Sequence, residues 1–273
     1  MTRYTKGTAI LEGGMILVAA LFAVPIWVLV NLSLKPPDDL SSPLAPARHP
    51  TLDNYSQVWT EAGLGSALVS STFVTVASVT IIVILSVLAA YPLARSTARW
   101  SRLAFGGFMI GLLLPFQLAL IPLYATMRDL GLLGSRWSLV LFYSGLQLPF
   151  SIFLYVSFLR ALPIEYEEAA VLDGARPFQM LRQIVFPLLR PVTGTLVILN
   201  AIAIWNDFLT PNLYLSGSEN QTVPVTLYTY VGQYTAQWQL VFAGLVIAII
   251  PVLACYFLMQ RHIIRGFAGG LKG

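Results

Sequence analysis

Long stretches without a charged residue are the feature of this sequence that most restricts its fold. They cover residues 13–34, 62–94, 103–127, 137–159, 191–215 (interrupted by Asp207 alone) and 220–260. A helix needs about 20 mostly apolar residues to cross a hydrocarbon core of about 30 Å. Each of these stretches is therefore long enough to hold one membrane-spanning helix.

The composition agrees with this pattern. The chain of 273 residues is 57% hydrophobic and 10% charged, whereas soluble domains average roughly 45–50% apolar and about 25% charged residues. We predict an all-α integral membrane protein with six transmembrane helices in a single domain, residues 1–273. The predicted spans are about 11–33, 67–90, 103–126, 138–159, 191–214 and 238–260. The polar first half of the last stretch is expected to be a loop or re-entrant segment.

The N-terminus also has features of a secretory signal, because Arg3 and Lys6 precede the first apolar stretch. That stretch is longer than the roughly 7–15 residues of a signal h-region. The nearest cleavage-like triplet, Ala45-Pro46-Ala47, lies well beyond its end. We therefore expect the first span to be retained.

Positive charges are divided unevenly between the two sets of loops. Twelve of the 16 Lys and Arg residues lie in the N-terminal tail, in segments 91–102 and 160–190, and at the C-terminus. The other four, Lys35, Arg48, Arg128 and Arg136, lie in the intervening loops. Because cytoplasmic loops carry an excess of Lys and Arg, both termini are predicted to be cytoplasmic. The net charge of +4 is then explained without nucleic acid.

Residues that could support catalysis are sparse. Cys255 is the only cysteine, and His49 and His262 are too far apart in sequence to suggest a metal site. A membrane-embedded enzyme would need nucleophiles, acid–base pairs or metal ligands inside the spans, and a permease driven by an ion gradient usually has several ionisable groups there. Asp207 is the single candidate, so these two classes remain the less favoured alternatives.

Segment 160–190 is too long for a simple turn and too polar to be buried in lipid. Pro163 suits a first helical turn, and the three glutamates that follow favour the positive end of the helix dipole. Gly174 can adopt the left-handed conformation that ends a helix. Pro177 then starts a second helix that runs to a break at Pro187. The pattern predicts two helices joined by a sharp bend.

The small side chains of Ala169 and Ala170 on the first of these helices permit close approach of another backbone. This favours docking into a groove on a second protein. The alternative is an amphipathic helix that lies at the lipid headgroups.

One motif in this segment decides between these possibilities. The sequence Glu168-Ala169-Ala170-x-x-Asp173-Gly174-Ala175, followed by Ile184 and Pro187, resembles the EAA loop of ABC importer permeases. Phe186 stands where the usual Ile-x-Leu-Pro ending has leucine. Other motifs resemble the carbohydrate branch, and most closely the shorter permease of maltose-type systems: Leu52-Asp53-Asn54-Tyr55 with Trp59, Pro122-Leu123-Tyr124, Leu148-Pro149-Phe150, Trp205-Asn206-Asp207-Phe208, and Arg265-Gly266 with a terminal Lys272-Gly273.

The resemblance implies a type I importer fold in a bacterial or archaeal cytoplasmic membrane, with a coupling helix that docks into a cytoplasmic ATPase. The coupling residues would be Glu165, Glu167, Glu168, Ala169, Ala170, Asp173, Gly174, Ala175, Ile184 and Pro187, with C-terminal ATPase contacts at Arg265, Gly266 and Lys272. The C-terminal tail is about one residue shorter than the common pattern.

The implied partners are two copies of an ATP-binding subunit, a homologous second permease, an extracytoplasmic solute-binding protein, a sugar substrate and membrane lipid. No cofactor, metal or enzymatic activity is implied. The ATPase must be a separate chain, because a P-loop requires a Gly-Lys pair and this sequence has none. A permease for glycerol phosphate, an amino acid or a peptide is the main alternative.

A polar stripe runs along the fifth span. Thr193, Asn200 and Asp207 are seven residues apart, which places them on one side of a helix. A charge in mid-helix costs about 2.5–3.5 kcal/mol on insertion scales, so this stripe should face protein or water. Asn200, Trp205, Asn206, Asp207 and Phe208 are candidates for lining the translocation pathway or its outer gate. Alternatively, Asp207 lies at the external end of the span and meets the headgroups.

Overall fold

The computed structural model describes residues 6–231 and 236–270. Within these ranges the regular secondary structure is helical, apart from an isolated bridge between Val231 and Ala236. The helices are α1 (Lys6–Ser33), α2 (Asp53–Thr60), α3 (Leu64–Arg95), α4 (Arg99–Leu113), α5 (Leu120–Asp129), α6 (Arg136–Ala161), α7 (Glu165–Leu172), α8 (Pro177–Met180), α9 (Phe186–Leu188), α10 (Arg190–Trp205), α11 (Leu209–Tyr214), α12 (Val223–Tyr228) and α13 (Trp238–Gly270). A 3₁₀ turn (Phe116–Ala119) precedes α5, and a π turn (Leu181–Val185) joins α8 to α9.

The predicted all-helical membrane fold is confirmed. Four helical segments are each long and apolar enough to cross a membrane: Ile10–Ser33 in α1, all of α3, all of α6, and Trp238–Cys255 in α13. Two further candidates are bent pairs, Arg99–Leu113 with Phe116–Asp129 and Pro177–Leu188 with Arg190–Trp205. Counting each bent pair as one span gives six.

The third predicted span is sharply bent. Its two parts meet at 90°, and the residues between them, Leu114 and Pro115, are extended, with ψ of 124° and 117°. Proline restricts the residue before it to extended conformations and supplies no N–H to a helix. The sequence at Pro115 therefore contains the physical cause of the bend, although the run of apolar residues is continuous.

The fifth predicted span, 191–214, is also interrupted. Helix α10 ends at Trp205 and α11 begins at Leu209. At the break, Oδ1 of Asp207 accepts a hydrogen bond of 3.0 Å from the N–H of Leu209. An aspartate side chain that accepts the backbone N–H two residues later forms an Asx turn, which competes with continuation of the helix.

The chain folds as two compact units. The first contains α1, α2 and the loop between them, with Val225–Tyr228 of α12 and Trp238–Leu253 of α13; the second contains residues 66–224 and the remaining part of α13. In the first unit, Gly244 on α13 faces Leu227 and Val58 so closely that a Cβ at this position would overlap the end of the Leu227 side chain. The absence of a side chain at Gly244 thus permits this packing.

The loop between α1 and α2 contains five prolines, which lack the backbone N–H that helices and strands require. It is irregular, but side chains hold it firmly to the helix ends. The amide nitrogen of Asn31 donates to the carbonyls of Pro43 and Ala45, both at 2.8 Å. That of Asn54 donates to the carbonyls of Ser33 and Lys35, at 2.9 and 2.8 Å. Buried backbone groups that have no helix or strand partner are satisfied in this way.

Lys35 is the central cation of this loop and is almost fully buried. Its ammonium donates to Oγ of Ser41 at 2.6 Å and to the carbonyls of Ser42 and Ser41 at 3.0 and 3.2 Å. The carboxylate of Asp39 lies 4.0 Å away. Three hydrogen bonds and a nearby negative charge together compensate for the desolvation of a buried lysine.

The second unit is organised around two apolar clusters. The first joins one end of α3 and of α6 to α7, the π turn and the start of α10, and its most buried members include Ala90, Tyr155, Leu159, Leu189 and Leu196. The second joins other parts of α3 and α6 to α10 and α11, and includes Val74, Ile82, Leu139, Tyr143 and Tyr214. Helix α3 contributes to both clusters, so it connects the 160–190 segment with the polar break before α11.

Candidate functional site

The bend in segment 160–190 forms as the sequence predicts. Gly174 has φ of +77°, a left-handed conformation that glycine adopts without steric cost. The N–H of Gly174 donates to the carbonyl of Val171 at 3.0 Å, and that of Ala175 donates to the carbonyl of Ala170 at 2.9 Å. These two bonds are the Schellman arrangement that closes the end of a helix. Gly174 therefore ends α7 and turns the chain toward α8.

The inner face of α7 is packed against the body of its own unit. Ala170 is buried in the first apolar cluster, which also contains Ala90 and Leu93 of α3 and Leu159 of α6. Glu167 lies one turn before Ala170 and is also buried. A small side chain at position 170 lets the α7 backbone approach these helices closely.

An ion pair joins this inner face to the end of α3. Nη2 of Arg95 lies 2.7 Å from Oε1 of Glu167, and Nε of Arg95 donates to the same oxygen at 2.8 Å. The other carboxylate oxygen, Oε2, accepts a 2.9 Å hydrogen bond from the hydroxyl of Tyr91. Arg95 also donates to the carbonyl of Leu162, at 3.3 Å, just before α7 begins. Both oxygens of Glu167 are thus bonded to α3.

The outer face of α7 and its neighbours is exposed and unusually apolar. Leu172 is 89% exposed, Phe178 66% and Val171 60%, and Tyr166 and Ile164 are about half exposed. Contiguous exposed apolar side chains on a protein surface indicate an interaction site. The carboxylates of Glu165, Glu168 and Asp173 are distributed among these side chains. The face is therefore suited to a partner surface that is apolar and carries positive charge.

The ten predicted coupling residues consequently divide into two groups. Five have exposed side chains or backbone: Glu165, Glu168, Ala169, Asp173 and Gly174. The other five are wholly or partly buried within the unit: Glu167, Ala170, Ala175, Ile184 and Pro187. This division depends on which side of α7 faces α3, so it cannot be derived from the motif. Arg95 and Tyr91 belong to no motif that would select them as partners of α7.

The helix after the bend is distorted where the motif ends. The π turn Leu181–Val185 carries the buried side chains of Leu181 and Val185, and Ile184 packs beside them against the first cluster. Phe186, the departure from the usual motif, remains partly exposed in α9. Single π turns inside helices occur frequently at functional sites.

The polar stripe of the fifth span faces α6. The hydroxyl of Tyr155 lies 2.9 Å from Oγ1 of Thr193. The amide nitrogen of Asn200 donates to Oγ of Ser151 at 3.2 Å, and the hydroxyl of Tyr143 donates to Oδ2 of Asp207 at 2.9 Å. All three stripe residues therefore bond a hydroxyl group on one neighbouring helix, and the two helices run antiparallel. Such bonds between apolar helices fix their register.

The remaining pathway candidates lie at the break between α10 and α11. Asn200 is buried, whereas Trp205, Asp207 and Phe208 are half-buried and Asn206 is exposed. The amide of Asn206 donates to the carbonyl of Ile202 at 2.9 Å. Of the candidate C-terminal contacts, Arg265 and Gly266 fall within α13, and Lys272 lies outside the described residues.

Comparison with known proteins identifies relatives along nearly the whole chain. This protein is 35% identical over 256 residues to the probable starch degradation products transport system permease AmyC of Thermoanaerobacterium thermosulfurigenes, with 93% of each chain covered. It is 34% identical to the multiple sugar-binding transport system permease MsmG of Streptococcus mutans, covering 92% of this chain and 91% of MsmG. The melibiose/raffinose/stachyose import permease MelC of Bacillus subtilis is 30% identical, with 98% of each covered.

The fold also matches a solved structure. A chain in the crystal structure of a bacterial ABC transporter involved in the import of the acidic polysaccharide alginate superposes with a TM-score of 0.79, covering 96% of this chain and 99% of that chain at 22% identity. This confirms the importer permease fold. Residues 82–269 match the family described as binding-protein-dependent transport system inner membrane component. The resemblance seen in the EAA motif is thereby confirmed, and the protein belongs to this family of multi-pass ABC importer permeases.

Proposed function

We propose that this chain is a permease subunit of an ATP-driven carbohydrate importer, in which residues 1–273 form one transmembrane domain and one half of the translocation pathway. The named relatives support a carbohydrate substrate, because AmyC is a probable permease for starch degradation products, MsmG belongs to a multiple sugar-binding transport system, and MelC is a permease for melibiose, raffinose and stachyose. These relatives are transport subunits, which favours a permease over an enzyme.

The observation that carries the proposal is the exposed apolar and acidic face of α7, held on a rigid bend. Val171, Leu172 and Phe178 are exposed in this chain, and contiguous exposed apolar side chains indicate a surface that a partner covers. In the proposed mechanism, ATP binding closes two ATPase subunits, whose clefts carry α7 with them, and the membrane helices then open outward. The coupling residues are Glu165, Glu167, Glu168, Ala169, Ala170, Asp173, Gly174, Ala175, Ile184 and Pro187, of which the buried five support the face and the exposed five meet the ATPase.

The same proposal requires several partners. Two copies of an ATP-binding subunit supply the energy, because the sequence contains no Gly-Lys pair for a P-loop. A homologous second permease forms the other half of the pathway, and an extracytoplasmic solute-binding protein delivers the sugar. The proposal assigns both termini to the cytoplasm, with Arg265, Gly266 and Lys272 as contacts to the ATPase pair.

Asn200, Trp205, Asn206, Asp207 and Phe208 are proposed to form or support the pathway near its outer gate. The buried amide of Asn200 supports it through α6, whereas the partly exposed rings of Trp205 and Phe208 can stack on apolar sugar faces. Trp205→Ala is expected to reduce uptake, and Trp205→Phe to retain most of it, because an aromatic face is kept. Equal uptake by wild type and Trp205→Ala would remove Trp205 from the pathway.

The substrate class can be tested in the assembled transporter. The complex is purified with its own ATPase, second permease and binding protein, and ATP hydrolysis is measured with a panel of glycosides, glycerol phosphates, amino acids and peptides. We expect stimulation by a sugar or oligosaccharide. Stimulation by a member of another class alone would overturn the carbohydrate assignment and leave the permease assignment intact.

The docking face can be tested separately. Leu172→Asp places a charge in the apolar part of the face, and we expect it to reduce co-purification of the ATPase subunits strongly. Leu40→Asp is the matched control, because Leu40 is 93% exposed in the loop between α1 and α2 and is not part of this face. Equal co-purification by both variants would exclude Leu172 from the interface.

A further inference from the structure

We propose that Glu167 and Arg95 form a latch that makes α7 and the end of α3 move as one body. The proposal rests on the coupling role argued above for α7 and goes beyond it, because it assigns Glu167 to the interior of the permease and not to the ATPase. Glu167 is then a positioning residue. Movement imposed on the outer face of α7 reaches α3 through this pair.

The geometry of the pair restricts α7 in several directions. Two nitrogens of Arg95 converge on one oxygen of Glu167 at 2.7 and 2.8 Å, while Tyr91 bonds the other oxygen at 2.9 Å. The same tyrosine hydroxyl lies 3.1 Å from Sδ of Met180, in α8. Arg95 further bonds the carbonyl of Leu162. One end of α3 therefore holds the entry to α7, its middle and the helix that follows the bend.

Burial explains why this contact should persist when α7 moves. The side chains of Arg95 and Glu167 are 18% and 11% exposed. A charge in such an environment is strongly unfavourable once its partner leaves, and a guanidinium that bonds a carboxylate through two nitrogens is held in one orientation. Separation of α7 from α3 would leave both charges unpaired, so the two elements are expected to move together.

Helix α3 is a suitable element to receive this movement. It contains 32 residues, so it is about 48 Å long at a rise of roughly 1.5 Å per residue. Farther along the helix, Val74, Val79 and Ile82 belong to the second cluster with Tyr143 and Tyr214. Tyr143 in turn bonds Asp207 at the break before α11. A displacement at Arg95 can therefore reach the pathway candidates along one continuous helix.

The test uses the full transporter in vesicles and measures solute transported per ATP hydrolysed. Glu167→Gln and Arg95→Gln each remove one charge of the pair, and the combined Glu167→Arg, Arg95→Glu variant restores opposite charges in reverse order. Arg99→Gln is the control, because Arg99 is exposed at the start of α4 and carries the same charge near the same end of α3. If the latch exists, each single variant should lower the amount of solute transported per ATP about fivefold or more. The exchanged pair should restore most of the wild-type ratio.

The ratio separates a latch from a pair that only stabilises the fold. A stabilising role would reduce transport and ATP hydrolysis in proportion, leave the ratio unchanged, and thereby overturn the proposal. If wild type itself shows no solute-stimulated hydrolysis, the proposed importer function fails before the latch is tested.

A second measurement applies if the single variants do not assemble. In a Cys255→Ala background, Arg95→Cys and Glu167→Cys together allow α3 and α7 to be joined by a short thiol crosslinker. These replacements remove the latch, so uptake should be low before crosslinking. If the two elements move as one body, the crosslinker should raise uptake toward that of wild type. Loss of uptake on crosslinking, with recovery after cleavage of the crosslinker, would show that they separate during transport and would overturn the latch.

Discussion

The hydroxyl of Tyr143 on α6 donates a 2.9 Å hydrogen bond to Oδ2 of Asp207, whose other oxygen, Oδ1, accepts the N–H of Leu209. The single carboxylate in an otherwise uncharged stretch thus performs two tasks. One oxygen bonds the break between α10 and α11 to α6, and the other accepts the N–H of the first residue of α11. This arrangement explains how an aspartate is accommodated among apolar helices.

Replacement of Asp207 tests this double role. Asp207→Ala removes both acceptors and should destabilise the protein by about 1–3 kcal/mol, the combined effect of two lost hydrogen bonds. Asp207→Asn keeps one oxygen as the acceptor for the N–H of Leu209 and should be nearly neutral. The measurement is the midpoint of thermal unfolding in detergent. Tyr143→Phe serves as the control that removes only the bond to α6, and an Asp207→Ala midpoint equal to that of wild type would contradict the role.

Gly174 offers a prediction that separates backbone strain from obstruction. A Cβ at Gly174 would meet no atom within 4 Å in this chain, so the effect of a substitution comes from φ of +77° and from any docked partner. A β-branched residue in this conformation is strained by about 1–2 kcal/mol or more. Gly174→Val should therefore abolish transport while the protein still inserts into the membrane.

Gly174→Asn is the matched variant, because asparagine tolerates the left-handed conformation and has a similar volume. If strain alone matters, Gly174→Asn should retain much of the uptake. If the ATPase approaches this position closely, both variants should fail. Normal uptake by Gly174→Val, with equal amounts of protein in the membrane, would count against the coupling role of the bend.

Much of the fold was predictable because membrane insertion depends on the local density of apolar residues. Helices occupy most residues of each predicted span, but the direction of the chain within a span is not encoded in hydropathy. Leu114 and Pro115 turn the third span by 90°, and Asp207 accepts the N–H of Leu209 at the break that follows α10. Each break depends on one or two residues, and their effect is lost when hydropathy is averaged over about 20 residues.

The sequence predicts which segment contains the candidate site, but it does not predict which side chains of that segment are exposed. The end of α7 at Gly174 follows from local backbone chemistry, which the sequence contains in full. The orientation of α7 about its axis cannot be predicted in this way. Glu165, Glu167 and Glu168 all lie in the first turn of this helix of eight residues, and the sequence does not show which of them faces the rest of the protein. The partner of Glu167 is Arg95, 72 residues away in sequence. Likewise, the seven-residue spacing predicts that Asn200 shares one side of a helix with Thr193 and Asp207. Which α6 side chains these residues contact depends on the register of the two helices, which the spacing does not reveal.

The loop between α1 and α2 should respond to strong acid. A hydrogen bond from the hydroxyl of Ser41, followed by bonds from the N–H groups of Arg48 and Ser41, lowers the pKa of Asp39 from 3.8 to about 2. Because this pKa is lowered in the folded loop, the contribution of Asp39 to stability is present above about pH 4 and is lost as the pH falls through about 2. Cleavage of the loop by pepsin should therefore accelerate between pH 4 and pH 2.

Asp39→Asn provides the control for this experiment, since the amide does not titrate. Its cleavage should already be fast at pH 4 and should change only as much as the protease's own activity. A wild-type protein whose cleavage follows the same pH dependence as Asp39→Asn would show that Asp39 does not hold the loop.

Orientation in the membrane can be measured with two exposed leucines. In a Cys255→Ala background, Leu40→Cys lies in the loop between α1 and α2 and Leu172→Cys lies on α7; their native side chains are 93% and 89% exposed, so both thiols should react readily. The uneven distribution of Lys and Arg predicts that α7 is cytoplasmic. A membrane-impermeant maleimide should therefore label Leu40→Cys in intact spheroplasts, and Leu172→Cys only after permeabilisation. The reverse pattern would place α7 on the far side of the membrane from ATP, and α7 could then neither dock with an ATPase nor transmit its movement to α3.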